Sequence, residues 1–365
     1  MDWSQLRNPV PRAERRMSPR ERATLLSGRL PAFCLGGPVG RSLPIFRFGR
    51  VNLMLLESSL VYLLENGYRC MGSDEFAAHI RGEEQPDGKS VLLCFDQARA
   101  SVWTLVAPLL QRYGMRAVTF AIPGRIQHST GLRPRWREPG HDPDIDHSQN
   151  PFCSWEELKA LCQEGVVDVE TMGWSHGRIF CDDKFEKLIL PETHMEDLDW
   201  PMLSDPGEPL RFASPSLVFH PLLPTRSRMS DAYKHDVDLS VIRRIKEDTN
   251  AAPYLFRQHL MQVETTAERD RAIAQELLHP RDLVAEKTGN RPQLFCFPWG
   301  VCGKVADRLL QDSSYAAAFR RCRRGAAAWR PGQDRYRIQR LNHEWIRCLP
   351  GSRRKLHWRL KDAGI

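Results

Sequence analysis

The stretch from Ser90 to Ile122 constrains the fold more than any other part of the chain. Ser90–Phe95 (SVLLCF) is a short continuous apolar run, the pattern of a strand covered on both faces, and it ends at Asp96. Val102, Leu105, Val106, Leu109, Leu110 and Tyr113 then recur at helical spacing, and Gly114 supplies a C-terminal stop. Arg116–Ile122 (RAVTFAI) reads as a second strand. Strand, helix and strand in so short a span predict a right-handed βαβ crossover, hence a parallel sheet. Pro108 falls inside the helical pattern and predicts a kink or a late start.

Similar units flank this one. Residues 43–52 read as a short strand, Glu57–Asn66 as a helix stopped by Gly67, and Glu83–Lys89 as a polar loop. Ser154 is placed to cap a helix over Trp155–Cys162, with Glu156 and Glu157 at its positive end. Gly165 ends that helix, and Val166–Met172 is a strand. Residues 268–288 are amphipathic and helical, interrupted by Pro280. A strand over Leu294–Phe297, a helix over Val305–Gln311, and late strands over Tyr315–Phe319 and Tyr336–Leu341 complete the pattern. Residues 177–267 break it, with mixed charge, prolines and scattered histidines, and read as an insertion with its own short elements. The expected divisions are an irregular arm over 1–40, a core domain over 41–345, and a basic C-terminal tail over 346–365. Alternating βα units imply a doubly wound sheet or a barrel. Either way, functional groups belong at the carboxyl ends of strands. Those ends are Asp96-Gln97, Met172 to His176, and Pro298-Trp299-Gly300.

Composition narrows the class without naming a function. With 365 residues, 41% hydrophobic and 27% charged, the chain is neither collagen-like, wholly disordered nor a small disulfide-stapled scaffold. The charge excess of +8 permits an anionic partner. No run reaches membrane-spanning length, and MDWSQLRNPVPRAERR lacks the apolar centre of a signal peptide, so a cytoplasmic location is expected. Ten cysteines with no CxxC pair are expected to be thiols.

The segments VLLCFDQARASVWTLVAPLLQRYGMRAVTFAIPG, SWEELKALCQEGVVDVETMGWSH and QLFCFPWG, with LPIFRFGRV before them and RYRIQRL after, resemble the polysaccharide deacetylase family, carbohydrate esterase family 4. The resemblance runs from about Leu43 to Leu341, outside most of the insertion. It implies an α/β fold, a distorted (β/α)7 barrel of the deacetylase type with a large insertion. In that family the first Asp of a TFDDG motif is the catalytic base. The second Asp and the two histidines of an HxxxH motif hold a divalent metal, usually zinc. By the resemblance, Asp96 matches the base and His176 the second histidine. Gln97 stands at the metal-binding Asp, Met172 at the first His, and Gly49 at the His of an N-terminal Tyr-His pair. Leu341-Asn342-His343 resembles a Leu-x-His motif, which implies a general acid at His343. Pro298, Trp299 and Gly300 match a PYG strand end and imply sugar contact.

The replaced ligands bear directly on chemistry. Metal-assisted amide hydrolysis needs a Lewis acid and an activated water. Zinc takes N, O and thiolate ligands, commonly three with one position open. Gln97 offers a neutral amide oxygen, and Met172 a thioether suited to softer metals. Each candidate also has a plainer reading. Asp96 is alternatively a turn carboxylate, Met172 an apolar filler, Trp299 a core ring, and Cys94 a buried inert thiol. The tract His141–His147 reads as a solvated acidic loop. His194, His220, Asp182 and Asp183 have no ligand spacing. The basic runs Arg320–Arg324 and Arg353–Lys355 are a solvated face or a contact for an anionic partner, and no nucleic-acid motif accompanies them.

Three functions follow. The first is a deacetylase-like protein of carbohydrate metabolism with impaired or lost metal-dependent deacetylation and a retained sugar-binding cleft. The second is an active hydrolase of C–N or ester bonds on an acylated glycan, with Asp96 as base. The third is a non-catalytic scaffold that works through the insertion and the C-terminal stretch.

Overall fold

Asp96 closes strand β3 (Ser90–Asp96), and the rest of the sheet is arranged around that strand. In the computed structural model the residues described are 31–86, 88–126, 131–148, 150–190, 221–236, 243–245, 247–248, 250, 252, 254, 262–321 and 328–356. The remaining sheet strands are β1 (Ile45–Phe48), β2 (Arg69–Cys70), β4 (Ala117–Ala121), β5 (Val167–Thr171), β6 (Leu294–Cys296), β7 (Ala317–Phe319) and β8 (Leu341–Asn342). Seven run in the order β7-β6-β5-β4-β3-β1-β8, while β2 pairs with the start of β3. Every pairing is parallel. Ile338 bridges to Phe319 on β7, and Leu341 pairs with Phe46 on β1, so one short segment joins the two sheet edges. The stretch expected as a strand over Tyr336–Leu341 is therefore mostly a crossing between edges, and only Leu341–Asn342 adds regular pairing.

Strand alternation sorts the side chains into two layers. Leu92 and Cys94 share the barrel interior with Ile45, Val118, Phe120, Leu294, Cys296, Ala317 and Phe319. Val91, Leu93, Phe95, Val167 and Val169 face outward against the helices. Those helices are α1 (Leu53–Glu65), α3 (Ala107–Tyr113), α4 (Trp155–Glu164), α5 (Thr266–Thr288) and α6 (Lys304–Gln311). The additional helix α2 (Ser73–Arg81) turns Phe76 and Ile80 into the barrel interior. It has no counterpart in the sequence reading, although Asp74 and Glu75 in its first turn and the spacing of Phe76, Ala77 and Ile80 carry the signal.

Two prolines produce the same local device. Proline has no N–H, so the carbonyl four residues earlier loses its helical donor. Before Pro108 the chain forms a π-turn over Val102–Val106, and the carbonyl of Thr104 accepts Trp136 N–H at 2.7 Å. Within α5, Pro280 releases the carbonyl of Glu276, which accepts Trp174 N–H at 3.1 Å. The helix over 155–164 has the expected cap: Ser154 and Glu157 bond reciprocally as a capping box.

The first and last described stretches pack against the domain and against each other. Ala32–Leu35 form a 3-10 turn that buries Phe33 and Cys34. Ile346, Cys348 and Leu349 are buried, and Arg354 donates to the carbonyls of Phe33, Gly36, Gly37 and Cys348. A guanidinium has five donors, and here one group bonds four carbonyls drawn from both ends of the described chain. Within 177–267 the described chain forms three antiparallel pairs: Arg178–Phe180 with Thr225–Ser227, Lys187–Leu188 with Pro221–Leu222, and His235–Asp236 with Gln262–Val263. Among the described residues no helix is long and apolar enough to cross a membrane.

Candidate functional site

Asp96 points into the barrel mouth on the same face of β3 as Leu92 and Cys94, and it is 6% exposed. Arg340 donates to both of its carboxylate oxygens, at 2.5 and 3.2 Å. The same guanidinium lies over the rings of Phe120 and Phe319, at 5.2 and 5.4 Å, and donates to Cys296 Sγ at 3.0 Å. Burial opposes the charge of Arg340, but the Asp96 carboxylate and the thiols of Cys296 and Cys94 outweigh it and hold the group protonated. Burial pushes the Cys94 thiol up to about 12 and that of Cys296 further, so neither is a nucleophile. Arg47 approaches Asp96 at 3.7 Å while its Nε donates to Asn342.

The neighbouring candidates have protein partners. Gln97 (φ 72°) and Ala98 (φ 45°) are left-handed, and Gln97 Oε1 accepts from Arg99 Nε at 2.9 Å. Met172 is buried in the apolar interior cluster with Phe120, Ile122 and Cys94. His176 (φ 55°) is 3% exposed, its ring lies 4.8 Å from that of Trp299, and its Nδ1 is buried without a hydrogen-bond partner. Burial lowers the His176 pKa to about 3, helped by the charges of Arg125, Arg99 and Arg178, so the ring is neutral. Trp299 (φ 60°) donates from Nε1 to the His176 carbonyl at 3.2 Å, and Arg178 lies over its ring at 4.9 Å. With His176 and Arg178 against it, the indole is not the open stacking platform that the PYG resemblance implies.

The loop that carries His176 is fixed from behind. Glu276, buried in α5, accepts Ser175 N–H at 3.0 Å and also the Ser175 hydroxyl. Its backbone carbonyl holds Trp174, and Arg125 Nε donates to the Ser175 carbonyl at 3.0 Å. Gly173 (φ 80°) leaves space that a Cβ would fill 3.1 Å from Glu276 Oε2 and 3.2 Å from Pro298. Gly300 is similarly constrained, since a Cβ there would lie 2.9 Å from Arg321 Cβ. Arg340, Glu276 and Arg125 are absent from the sequence reading. Arginine and glutamate are usually exposed, and only the closed fold supplies their partners.

The structure therefore brings Asp96, Met172, His176 and Trp299 to the carboxyl rim of one sheet. His343 departs from this group. Its ring stacks on Phe48 at 4.9 Å, and Phe48 belongs to the outer layer against Phe95. From this part of the chain it is Arg340 that reaches Asp96. Around His141–His147, Asp146 accepts from Ser101 and Asp142 from Asp144, which is ordinary loop bonding. Asp182 accepts Lys184 N–H, while His194 and His220 lie outside the described residues. The basic runs are partly engaged: Arg320 pairs with Asp307, Arg353 with Glu65, and Arg354 points inward, while 322–327 lie outside the described residues.

The residues present do not fit a divalent cation. Among the described residues, no three of His, Cys, Asp or Glu converge to hold one. Gln97 is turned to Arg99, Met172 is sealed in the apolar interior, and the groups near His176 are guanidinium cations. Zinc needs ligands that are anionic or neutral donors free of competing cations.

Residues 83–197 match the polysaccharide deacetylase family model. The Bacillus subtilis protein YxkH, which carries a polysaccharide deacetylase designation, is 30% identical over 83 residues, 23% of this chain and 30% of that protein. The poly-beta-1,6-N-acetyl-D-glucosamine N-deacetylase of Escherichia coli K12 is 23% identical over 129 residues, 35% of this chain and 18% of that protein. The chain thus spans under a third of the length of either relative. Among solved structures, the de-N-acetylase from Aggregatibacter actinomycetemcomitans superposes with a TM-score of 0.55 at 14% identity, over 87% of this chain and 100% of that one. The BpsB deacetylase domain from Bordetella bronchiseptica gives 0.52 at 15% identity, over 84% and 97%. The family match thus covers residues 83–197, the stretch that holds β3 to β5, and the parallel barrel is the fold shared with these two solved structures.

Proposed function

We propose that this protein engages an exopolysaccharide-type glycan at the Asp96–His176–Trp299 rim and does not carry out metal-dependent deacetylation. The family match supports the substrate class. The observation that carries the loss of metal chemistry is the ligand set itself: Gln97 bonded to Arg99, Met172 buried, and His176 alone among arginines. Without a Lewis acid on the carbonyl oxygen, the backbone donors of the rim are a small substitute, worth about 3–4 kcal/mol each at best. The cytoplasm is the proposed compartment, in keeping with nine described cysteines that are all free thiols.

The test combines metal analysis of the purified protein, acetate release from oligomers of β-1,6-linked N-acetylglucosamine, and calorimetric glycan binding. Glycan binding without bound zinc or acetate release supports the proposal. Stoichiometric zinc with acetate release overturns it. Metal-free acetate release that Asp96→Asn abolishes would establish the hydrolase with Asp96 as base instead.

A further inference from the structure

The mouth of this barrel has the wrong sign of charge for a cation and the right one for an anion. Arg340 neutralises Asp96. Arg47 stands at 3.7 Å from that pair, Arg99 is held beside Gln97, Arg125 beneath the Ser175 carbonyl, and Arg178 over Trp299. Two of the polar groups are nearly sealed from water, Arg125 at 6% exposure and His176 at 3%. The nearest acid behind the loop, Glu276, has its carboxyl on Ser175, and burial pushes it toward the neutral form. At the centre, His176 Nδ1 is buried without a hydrogen-bond partner. A buried polar atom left unpaired is costly, and such an atom at a strained rim marks a place where a ligand supplies the missing partner.

The backbone adds a second, independent observation. Six described non-glycine residues have positive φ, and Gln97, Ala98, His176 and Trp299 are four of them. A left-handed non-glycine residue is strained and persists only where the surrounding structure enforces it. Here the enforced residues all lie around the same mouth.

We infer that this rim is a binding site for an oxyanion carried on a sugar, a uronate carboxylate or a phosphate monoester, with His176, Arg99 and Arg178 as its protein partners. The inference rests on the glycan reading above and deepens it by naming the charge of the glycan. A neutral imidazole presents an N–H. Arg178 is held in place by Thr225 and Arg99 by Gln97, and a guanidinium is the group whose geometry matches the oxygens of a carboxylate or phosphate. The partial cover that His176 and Arg178 place on the indole of Trp299 suits this chemistry better than stacking on a neutral ring.

The experiment is calorimetric titration of the full chain with three oligosaccharides of equal length: neutral N-acetylglucosamine units, uronic acids, and phosphate-bearing sugars. The expected result is at least tenfold tighter binding of one anionic oligomer than of the neutral one, weakened as salt is raised. Arg178→Gln and Arg99→Gln, each checked by thermal melting, are expected to remove about tenfold of the affinity for the anionic oligomer. Two separate variants guard against one of them disturbing the fold. Equal binding of all three oligomers overturns the inference and leaves the glycan proposal standing. No binding of any oligomer overturns both. A preference for anionic oligomers that survives both arginine variants also overturns the assignment of this site.

Discussion

Arg340 clasps Asp96 in a two-point ion pair between the rings of Phe120 and Phe319. Removing one partner of a buried pair leaves the other charge without compensation, at about 3–5 kcal/mol. Arg340→Met and Asp96→Asn are each expected to lower stability on that scale. The double substitution is expected to cost much less than the sum, because no lone charge remains. Urea unfolding of the four proteins measures the coupling, and simple additivity would show that the pair is not an energetic unit.

Restoring the two replaced ligands is not expected to restore a cation site by itself, because Arg99, Arg125 and Arg178 still act on His176 and position 172 lies in the apolar interior. Elemental analysis of Gln97→Asp with Met172→His after dialysis against zinc is expected to find no stoichiometric metal, as in the parent. Stoichiometric zinc in the double variant would show that the arginines do not exclude a cation.

Glu170 gives a pH dependence of definite sign. It is fully buried on β5, accepts from the backbone N–H groups of Gln293 and Leu294, and burial raises its pKa from 4.5 to about 8. Between those values the native state holds a proton that the unfolded chain has released. Stability is therefore full below pH 4.5 and declines as pH rises toward 8, by about 1.4 kcal/mol per unit at most. His176 acts in the opposite sense, with stability present above pH 6.5 and lost as pH falls toward 3. Glu170→Gln is expected to flatten the decline above pH 6.5, as read by urea midpoints across that range.

Pro280→Ala is expected to loosen the loop that carries His176. The new N–H competes with Trp174 for the Glu276 carbonyl, a bond of about 1 kcal/mol. Hydrogen exchange at the Trp174 amide is expected to quicken about fivefold, with little change in global stability. Unchanged exchange would show that Glu276 and Arg125 hold the loop by themselves.

The sheet was readable because its signals are local. SVLLCFD is an apolar run with a charged end, the helix over 155–164 has its cap in four consecutive residues, and glycines stand at the stops. Asp96 at a strand end followed from the same reasoning. Arg340 did not, because Tyr336–Leu341 reads only as a late strand, and the burial of Arg340 depends on two sheet edges closing beside Asp96. Glu276 is hidden for a related reason: a glutamate inside an amphipathic helix gains meaning only when a loop from another strand is laid across it. For His343 three matching residues fix a motif but not the direction of a side chain, and its ring stacks on Phe48.

The grip of Arg354 on Phe33, Gly36 and Gly37 has a consequence for how the domain opens. The first and last described stretches share one guanidinium, so neither frays alone. They behave as a single cooperative patch, and any fragment that keeps this seam intact includes Phe33 and Arg354. Trimming either border breaks the fastening of the opposite one, and a protease nick near Gly36 would be felt at Cys348.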